Sequence, residues 1–150
     1  MKQLSLVALA IMVLIFSSCE KVVGDGPVVT QNRTTNNFSR ISMSGSGTLF
    51  YRQDNAYKVE IQAQQNILDV IETNVVNNEL VIKLKNNVRI RSHEDIVVTI
   101  SAPAVTGLTL SGSGNIYTTG SFTPYNIDLN VSGSGNIMVQ NLVTNNIDAG

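Results

Sequence analysis

The sequence predicts an all-β protein: a right-handed, parallel β-helix-like solenoid with coils of about 20 residues, preceded by strand hairpins and at most one short helix. Three observations lead to this prediction. Only 14% of the 150 residues are charged, against about 25% in typical soluble proteins, and Asn, Ser, Thr and Gly are abundant. The motif Ser-Gly-Ser-Gly occurs three times, at residues 44–47, 111–114 and 132–135. Apolar and polar residues alternate around each copy, as they do in a half-buried strand.

The overall composition narrows the classes of function. Ten Lys and Arg against eleven Asp and Glu give a formal net charge of −1, which lacks the positive surface that nucleic-acid binding needs. A single Cys excludes an internal disulfide, and a single His excludes a His-rich metal site. We therefore expect one domain with no cofactor and no nucleic-acid partner.

The first nineteen residues have the pattern of a lipoprotein leader. Lys2 precedes a run of 13 residues, 4–16, that is apolar except for Ser5. This run is shorter than the ~20 residues that a membrane-spanning helix needs, so it indicates a signal peptide over residues 1–18. Two serines stand before Cys19, the only Cys, as in a bacterial lipobox. We predict that Cys19 is the lipid-attachment residue and that its acyl chains anchor the mature protein in a membrane.

Residues 19–37 are predicted to form a flexible tether between the anchor and the domain. Gly24, Gly26 and Pro27 interrupt this segment, and no hydrophobic period is sustained through it. Only its later part, at Val28 and Val29, suggests a strand, which would lie at an edge of the fold. With the lipid anchor, this organisation predicts a cell-envelope location in the outer membrane, on either its surface or its periplasmic face.

The middle of the chain, residues 38–100, holds nearly all of the charge and alternates like a set of strands. A helical turn is expected only at residues 66–71, where Asn66 would cap it. Asn77 and Asn78 tolerate a left-handed backbone, so we expect a hairpin across them. The predicted strands cover residues 38–51 and 57–62, joined across 53–56, and residues 72–76, 79–84 and 96–100.

The repeats determine the prediction for residues 101–150. The second and third copies of the motif extend to Ser-Gly-Ser-Gly-Asn-Ile and start 21 residues apart. From Tyr125 to Val139 the odd positions are apolar or glycine, whereas the even positions are polar except for Met138. A coil of ~20 residues at ~3.3 Å each can wrap once around a narrow core, with the next coil ~4.8 Å away in parallel pairing. An antiparallel meander or sandwich with Gly-rich bends is the alternative.

The repeat glycines are predicted to be structural residues. Both glycines of each copy fall on the apolar side, where only a residue without Cβ fits a tight turn or a close approach of two backbones. They are Gly45, Gly47, Gly112, Gly114, Gly133 and Gly135. Residues 146–150 correspond to 126–130, the run that leads into the third copy, so we expect the reading frame to continue with further copies.

No catalytic, cofactor-binding or metal site is predicted. His93, the only His, lies in a polar loop and fits a solvated side chain better than a base for a nucleophilic serine. Asp128 and Asp148 occupy equivalent repeat positions, where stacked charges would repel and Ca²⁺ could offset them. Two carboxylates flanked by Asn nevertheless provide too few charged ligands to predict a calcium site.

The candidate binding surface is a polar wall along the repeats. Its stacked hydroxyl and amide groups could contact a polysaccharide or a protein on a cell surface. The wall comprises Thr109, Ser111, Ser113, Asn130, Ser132 and Ser134.

Several segments together resemble a known family. These are the Cys-anchored leader, Phe38-Ser39-Arg40-Ile41, Asn66-Ile67-Leu68 before a hairpin, Ile100-Ser101-Ala102-Pro103 and Gly133-Ser134-Gly135-Asn136-Ile137. Over residues 38–150 the chain resembles the bacterial family described as "putative autotransporter adhesin, head GIN domain", common in Bacteroidetes-type bacteria. The resemblance implies a β-helical, surface-associated, non-enzymatic module, and it identifies no ligand residues.

The sequence thus predicts a lipid-anchored envelope protein of adhesin type without catalytic activity. Its partners would be a membrane, through the N-terminal anchor, and a polysaccharide or cell-surface protein. Two alternatives stay open: a polysaccharide-active β-helix enzyme, and a periplasmic structural or stress-related envelope protein.

Overall fold

The computed structural model describes residues 20–150, which form fourteen strands and one short helix, α1. The all-β class and the single short helix are therefore confirmed for this part of the chain. The elements are β1 (Glu20–Val23), β2 (Val28–Asn32), β3 (Arg40–Gly45), β4 (Thr48–Gln53), β5 (Lys58–Gln64), α1 (Gln65–Leu68), β6 (Ile71–Val76), β7 (Glu79–Leu84), β8 (Val88–Ser92), β9 (Val97–Ala102), β10 (Gly107–Gly112), β11 (Asn115–Thr119), β12 (Asn126–Gly133), β13 (Asn136–Met138) and β14 (Asn146–Ala149).

The strands form two six-stranded sheets and one two-stranded pair. Sheet I has the order β14-β12-β10-β3-β7-β6, sheet II has the order β13-β11-β4-β9-β5-β2, and β1 pairs with β8. Both large sheets are mixed: β6 is antiparallel to β7, and β5 is antiparallel to both β2 and β9. A uniform parallel solenoid therefore does not describe the whole domain, because its first half contributes antiparallel strands to both sheets.

The three Ser-Gly-Ser-Gly copies stack directly on one another. β10 pairs in parallel with β3 on one side and with β12 on the other, and Gly112 lies in register with both Gly45 and Gly133. Each copy ends a strand of sheet I and leads into a strand of sheet II, namely β4, β11 or β13. All pairings of β10 to β14 are parallel, which excludes the antiparallel alternative for residues 107–149.

Side-chain alternation places the core between the two sheets. In sheet I, the side chains of Leu80, Ile41 and Leu108 follow one register row and are fully buried. At ~1.5–3 kcal/mol for each such side chain, this burial favours the pairing register that keeps the row intact. Tyr51 packs edge-on against Phe122 with ring centroids 5.3 Å apart, and its hydroxyl donates to the Ala102 carbonyl at 3.2 Å.

Two local predictions meet different outcomes. The hairpin between β6 and β7 is confirmed, and Asn77 and Asn78 have φ of 50° and 67°. The helical turn is also present, but Asn66 does not cap it: Gln64 holds the N-cap position, without a side-chain hydrogen bond. Asn66 instead donates to the Val23 carbonyl at 2.7 Å and accepts from the Asp25 backbone N–H at 3.1 Å, so it binds the N-terminal segment.

The long strand predicted over residues 38–51 is interrupted. It divides at Gly45 into β3, which lies in sheet I, and β4, which lies in sheet II. β4 and β5 follow each other in sequence but are not neighbours in the sheet, because β9 lies between them.

The side chain of Tyr125, predicted to face inward, is 75% exposed. Tyr125 precedes β12, so the alternation of inward and outward side chains in that strand does not include it.

Within the described residues, the segment predicted as a tether carries two paired strands. β1 runs parallel to β8, and β2, which contains Val28 and Val29, is the edge strand of sheet II against β5. The predicted signal peptide and Cys19 lie outside the described residues.

Candidate functional site

The predicted polar wall lies on the outer face of sheet I. Two register rows cross β3, β10 and β12. Their side chains point outward, because the residues that alternate with them in β3 and β10 are buried, namely Ile41, Met43, Leu108 and Leu110. We call this surface the hydroxyl face; it comprises Ser42, Ser44, Thr109, Ser111, Asn130 and Ser132. The sequence predicted its residues on β10 and β12, and the structure adds the two serines of β3.

Ser113 and Ser134, which were predicted to belong to the same wall, lie beyond the ends of β10 and β12. They occupy the corner where the chain passes between sheets, and both are exposed. Their backbone N–H groups donate to the Gly45 carbonyl at 3.2 Å and to the Gly112 carbonyl at 2.9 Å. These two serines therefore form part of the corner rather than the flat face.

An ion pair borders the hydroxyl face. The Arg40 guanidinium donates to the Asp128 carboxylate at 2.7 Å, and its Nε lies 3.9 Å from Glu79. Gly107 on β10 lies in register between Arg40 and Asp128. A Cβ at this position would lie 2.6 Å from Arg40 Cζ, so the absence of a side chain leaves room for the guanidinium to reach Asp128 across β10. Arg40 thus offsets the charge of Asp128, for which the sequence suggested Ca²⁺ only as a weakly supported alternative. In the described part of the chain, no group of three or more His, Cys, Asp or Glu could hold a metal ion.

A polar hollow of about 500 Å³ adjoins the hydroxyl face on β3, β6 and β7. Its lining includes two cationic and two anionic side chains, Arg40, Lys83, Glu72 and Glu79. Lys83 lies 3.8 Å from Glu72, so these charges largely compensate one another. The hollow extends the polar surface without giving it a net charge.

The repeat glycines form two stacked ladders at the corner between the sheets. Gly45, Gly112 and Gly133 have φ of 116°, 121° and 130°, a region that favours glycine. A Cβ on Gly112 would lie 2.7 Å from the Gly45 carbonyl oxygen, and one on Gly133 would meet the Gly112 carbonyl oxygen.

The second ladder consists of Gly47, Gly114 and Gly135. A Cβ on Gly114 would lie 2.7 Å from the Gly47 carbonyl oxygen, and one on Gly135 would meet the Gly114 carbonyl oxygen. In both ladders the glycines of the second and third copies accommodate the backbone of the neighbouring coil more than they accommodate core side chains.

An apolar cavity of about 130 Å³ lies on the inner side of β3, between the two sheets. Met43, Ile71, Ile82, Ile96 and Val98 are among its lining residues.

His93 lies in the loop between β8 and β9, where its Nδ1 contacts the Glu94 carbonyl.

A row of large side chains crosses the outer face of sheet II, and sequence reasoning missed it. Phe50 on β4, Tyr117 on β11 and Met138 on β13 lie in register. The two rings stack with centroids 5.5 Å apart and an interplanar angle of 23°, and Met138 is 43% exposed. Each of the three residues stands three positions after the second glycine of its repeat. Aligning the three copies would have revealed this surface, which we call the aromatic stripe.

Polar rows flank the aromatic stripe on both sides. On one side, Thr48, Asn115 and Asn136 lie in register, and the Asn136 amide donates to that of Asn115 at 3.2 Å. On the other side, Thr119 lies in register with Arg52, whose guanidinium lies 2.8 Å from Asp54.

The stripe's own row continues to Thr99 and Glu60. A side-chain hydrogen bond from Lys58, 2.8 Å away, lowers the pKa of Glu60 and keeps it ionised.

The hydroxyl face and the aromatic stripe thus lie on the outer faces of the two sheets of an all-β module. The family model described as "Putative auto-transporter adhesin, head GIN domain" matches residues 37–150. The chain therefore belongs to this family, which confirms the resemblance found in its sequence. Membership in an adhesin-like family indicates an association with the cell envelope or cell surface.

Solved structures share the fold. They include a putative adhesin from Bacteroides fragilis (TM-score 0.81, 22% identity), a putative lipid binding protein from Parabacteroides distasonis (0.75, 19%) and a putative adhesin from Parabacteroides merdae (0.69, 16%). The matches cover 85%, 87% and 87% of this chain but only 60%, 65% and 61% of those chains. None of the curated proteins matches the chain. Over residues 20–150, no helix has the length and apolar character needed to cross a membrane.

Proposed function

We propose that this protein is a lipid-anchored, non-catalytic binding module of the bacterial cell envelope. It holds an extracellular polysaccharide or surface protein in the manner of an adhesin. The observation that carries this proposal is the hydroxyl face: six small polar side chains on three paired strands, in register and free of net charge. Groups fixed on a sheet lose little conformational freedom on binding, so they suit a weak, repetitive ligand.

The anchor is the second part of the proposal. Acylation at Cys19 would place the lipid one residue before β1, and β1 is tied to the domain through its pairing with β8. The domain would then stand close to the membrane rather than at the end of a long linker. Because two or more acyl chains give stable anchoring, we expect the protein in the outer membrane, on either its surface or its periplasmic face.

The third part concerns the fold of the repeats. We propose that residues 107–149 form the coils of a parallel β-helix, which the first half supports through β3 and β4. The in-register parallel pairing of β3, β10, β12 and β14 supports this view.

A glycan array probed with the purified protein tests the binding function, with the variant Thr109→Val/Asn130→Val as the comparison. Val retains strand propensity but removes the hydroxyl and amide groups, so array signals should fall while the melting temperature stays within a few degrees. Thr30→Val, an exposed position on the edge strand β2 at the far side of sheet II, is the matched control and should retain binding. A wild-type protein that binds neither glycans nor intact cells contradicts the proposal.

Two further measurements separate the alternatives. Mass spectrometry of the membrane fraction should find Cys19 acylated and residues 1–18 absent, and a free Cys19 thiol would contradict the anchor. Protease treatment of intact cells distinguishes a surface protein, which is cleaved, from a periplasmic structural protein, which is protected. Release of reducing sugar ends from any bound polysaccharide would instead indicate an enzyme.

Lipid binding is a second candidate, favoured by the apolar cavity between the sheets. A cavity of this size, about 130 Å³, compares with engineered cavities of roughly 150 Å³ that hold one benzene ring. It would therefore admit only the end of an acyl chain. The variant Val98→Phe should fill the cavity and abolish displacement of a fluorescent fatty acid, while glycan binding persists.

A further inference from the structure

We propose that the aromatic stripe on sheet II is a contact surface for a neutral polysaccharide. This inference rests on the proposed function, because it names the ligand class and a second site for the same binding module. Phe50, Tyr117 and Met138 form the stripe, and they come together only because the three repeats stack in register.

The stripe is an apolar ridge built into the paired part of a sheet. Its three strands are neighbours at ~4.8 Å spacing, so the ridge extends ~10 Å across the face. Phe50 and Tyr117 are half-buried and stacked on one another, which fixes their rings before any ligand arrives. Such a fixed surface costs little ordering entropy on binding.

The neighbouring side chains supply the polar half of the site. Thr48, Asn115 and Asn136 follow one side of the ridge, and Thr119 lies on the other. A sugar ring presents C–H surfaces together with hydroxyl groups that donate and accept hydrogen bonds. The ridge suits the C–H surfaces, whereas amides and hydroxyls can both donate to and accept from the sugar hydroxyls.

The charges around the stripe are compensated, which favours a neutral ligand. Arg52 lies 2.8 Å from Asp54, and Lys58 lies 2.8 Å from Glu60. An acidic polymer or an anionic membrane would gain nothing from such pairs without separating them.

The size of the stripe also favours a glycan over a protein partner. A specific protein interface buries about 800 Å² per partner. A fully buried aromatic side chain contributes only ~150–250 Å², and those of the stripe are already half-buried. Three such side chains, bordered by polar residues, match a few sugar units better than a protein surface.

Affinity electrophoresis of the purified protein tests the inference. The probes are dextran, galactomannan and xyloglucan, which are neutral, and polygalacturonate, which is acidic. At least one neutral polysaccharide should retard the wild type, with a dissociation constant that is unchanged from low salt to ~0.5 M NaCl. Phe50→Thr/Tyr117→Thr should weaken this binding about tenfold or more.

The matched control is Tyr125→Thr, which removes a more exposed aromatic ring, 75% accessible, that lies outside the stripe. It should leave the dissociation constant within about twofold of the wild type. If the double variant does not fold, Met138→Asp on the edge strand β13 provides the second test, and it should cause a comparable loss.

Three results would overturn the inference: no neutral polysaccharide binds, only polygalacturonate binds in a salt-dependent manner, or the stripe variants bind neutral polysaccharide as the wild type does. A wild type that adheres to cells or to a surface protein but to none of the neutral probes contradicts this inference and leaves the proposed function standing. Loss of glycan binding in Thr109→Val/Asn130→Val, with the stripe variants unaffected, assigns the ligand to the hydroxyl face instead.

Discussion

The first half of the described chain and the repeat half hold their strands together by different means. Residues 20–100 contain antiparallel pairings and four ion pairs: Arg40–Glu79, Arg52–Asp54, Lys58–Glu60 and Lys83–Glu72. Residues 101–150 contain no Lys or Arg, and strands β10 to β14 pair only in parallel. Hydrogen bonds between two side chains of this region join identical residues, Asn115 with Asn136 and Asn126 with Asn146.

This difference follows from in-register stacking. When repeats stack in parallel, each side chain meets the equivalent side chain of the next coil, so a charged position would face its own charge. An amide both donates and accepts, and it can therefore bond to an identical neighbour. One pair of charged residues does stack, Asp128 on Asp148. Arg40 of the first half, 2.7 Å from Asp128, offsets the charge of that carboxylate.

The glycine ladder should give the largest effect, because it is the feature on which close stacking depends. Gly112→Ala combines a φ of 121° with a Cβ 2.7 Å from the Gly45 carbonyl oxygen. We expect a loss of about 4 kcal/mol in the free energy of unfolding, measured by urea denaturation.

Two related glycines separate the two causes. Gly45→Ala has a φ of 116° but nothing within 4 Å of its Cβ, so it reports backbone strain alone. Gly114→Ala has no positive φ but places a Cβ 2.7 Å from the Gly47 carbonyl oxygen, so it reports the clash alone. Each should cost about half as much as Gly112→Ala, and equal losses for Gly45 and Gly112 would show that stacking distance is not the constraint.

Tyr51 tests the contact between the two halves. It lies on β4, it packs on Phe122, and its hydroxyl donates to the Ala102 carbonyl. Tyr51→Phe should cost about 1 kcal/mol at neutral pH, because a buried carbonyl loses its donor.

At alkaline pH the order of stability should reverse, so that Tyr51→Phe becomes more stable than the wild type. Burial, with a smaller contribution from Tyr57, raises the pKa of Tyr51 well above its ordinary value of about 10. The native state therefore favours neutral Tyr51, so its contribution is complete below pH ~10 and declines as pH rises above it. Melting temperatures from pH 7 to ~11 should fall less for Tyr51→Phe than for wild type. Parallel curves would show that Tyr51 ionises freely in the native state.

The ion pair between the halves should contribute less. Arg40 and Asp128 have side chains that are 36% and 45% exposed, so their coupling should be about 0.5–1 kcal/mol. A double-mutant cycle with Arg40→Met and Asp128→Asn measures this coupling, and added salt should reduce it. A coupling above about 2 kcal/mol would mean that charge, and not only backbone stacking, joins the two halves.

The smallest effect is expected on the outer surface of the repeats. Ser132→Val and Ser134→Val change exposed side chains and should shift stability by at most ~0.5 kcal/mol. Gly133→Val, between them, has a φ of 130° and should cost several times more. Similar melting temperatures for all three variants would contradict the assignment of faces.

Local rules account for what was predictable. The all-β class follows from two-residue alternation, and the hairpin follows from two asparagines that tolerate positive φ. The stacked glycines follow from the repeat itself, since equal residues of a 21-residue repeat lie above one another. These features depend on neighbours in sequence or on exact repetition, and both can be read from the chain.

Long-range pairing accounts for what was missed. β9 enters between β4 and β5, and no local signal distinguishes that arrangement from a hairpin. Asn66 has the residue type of a helix cap, but it bonds to the N-terminal segment, more than forty residues away. A competing partner at such a distance decides the role of a side chain that local propensity leaves open.

The sequence by itself therefore determined the class of strand, the repeat and the positions where a Cβ cannot be placed, because steric limits and alternation act over a few residues. Only the tertiary structure decided which surfaces exist. The aromatic stripe joins residues 67 and 21 positions apart, and the Arg40–Asp128 pair spans 88 positions. Such surfaces arise from sheet register, which is set by the burial of the whole core and not by any single segment.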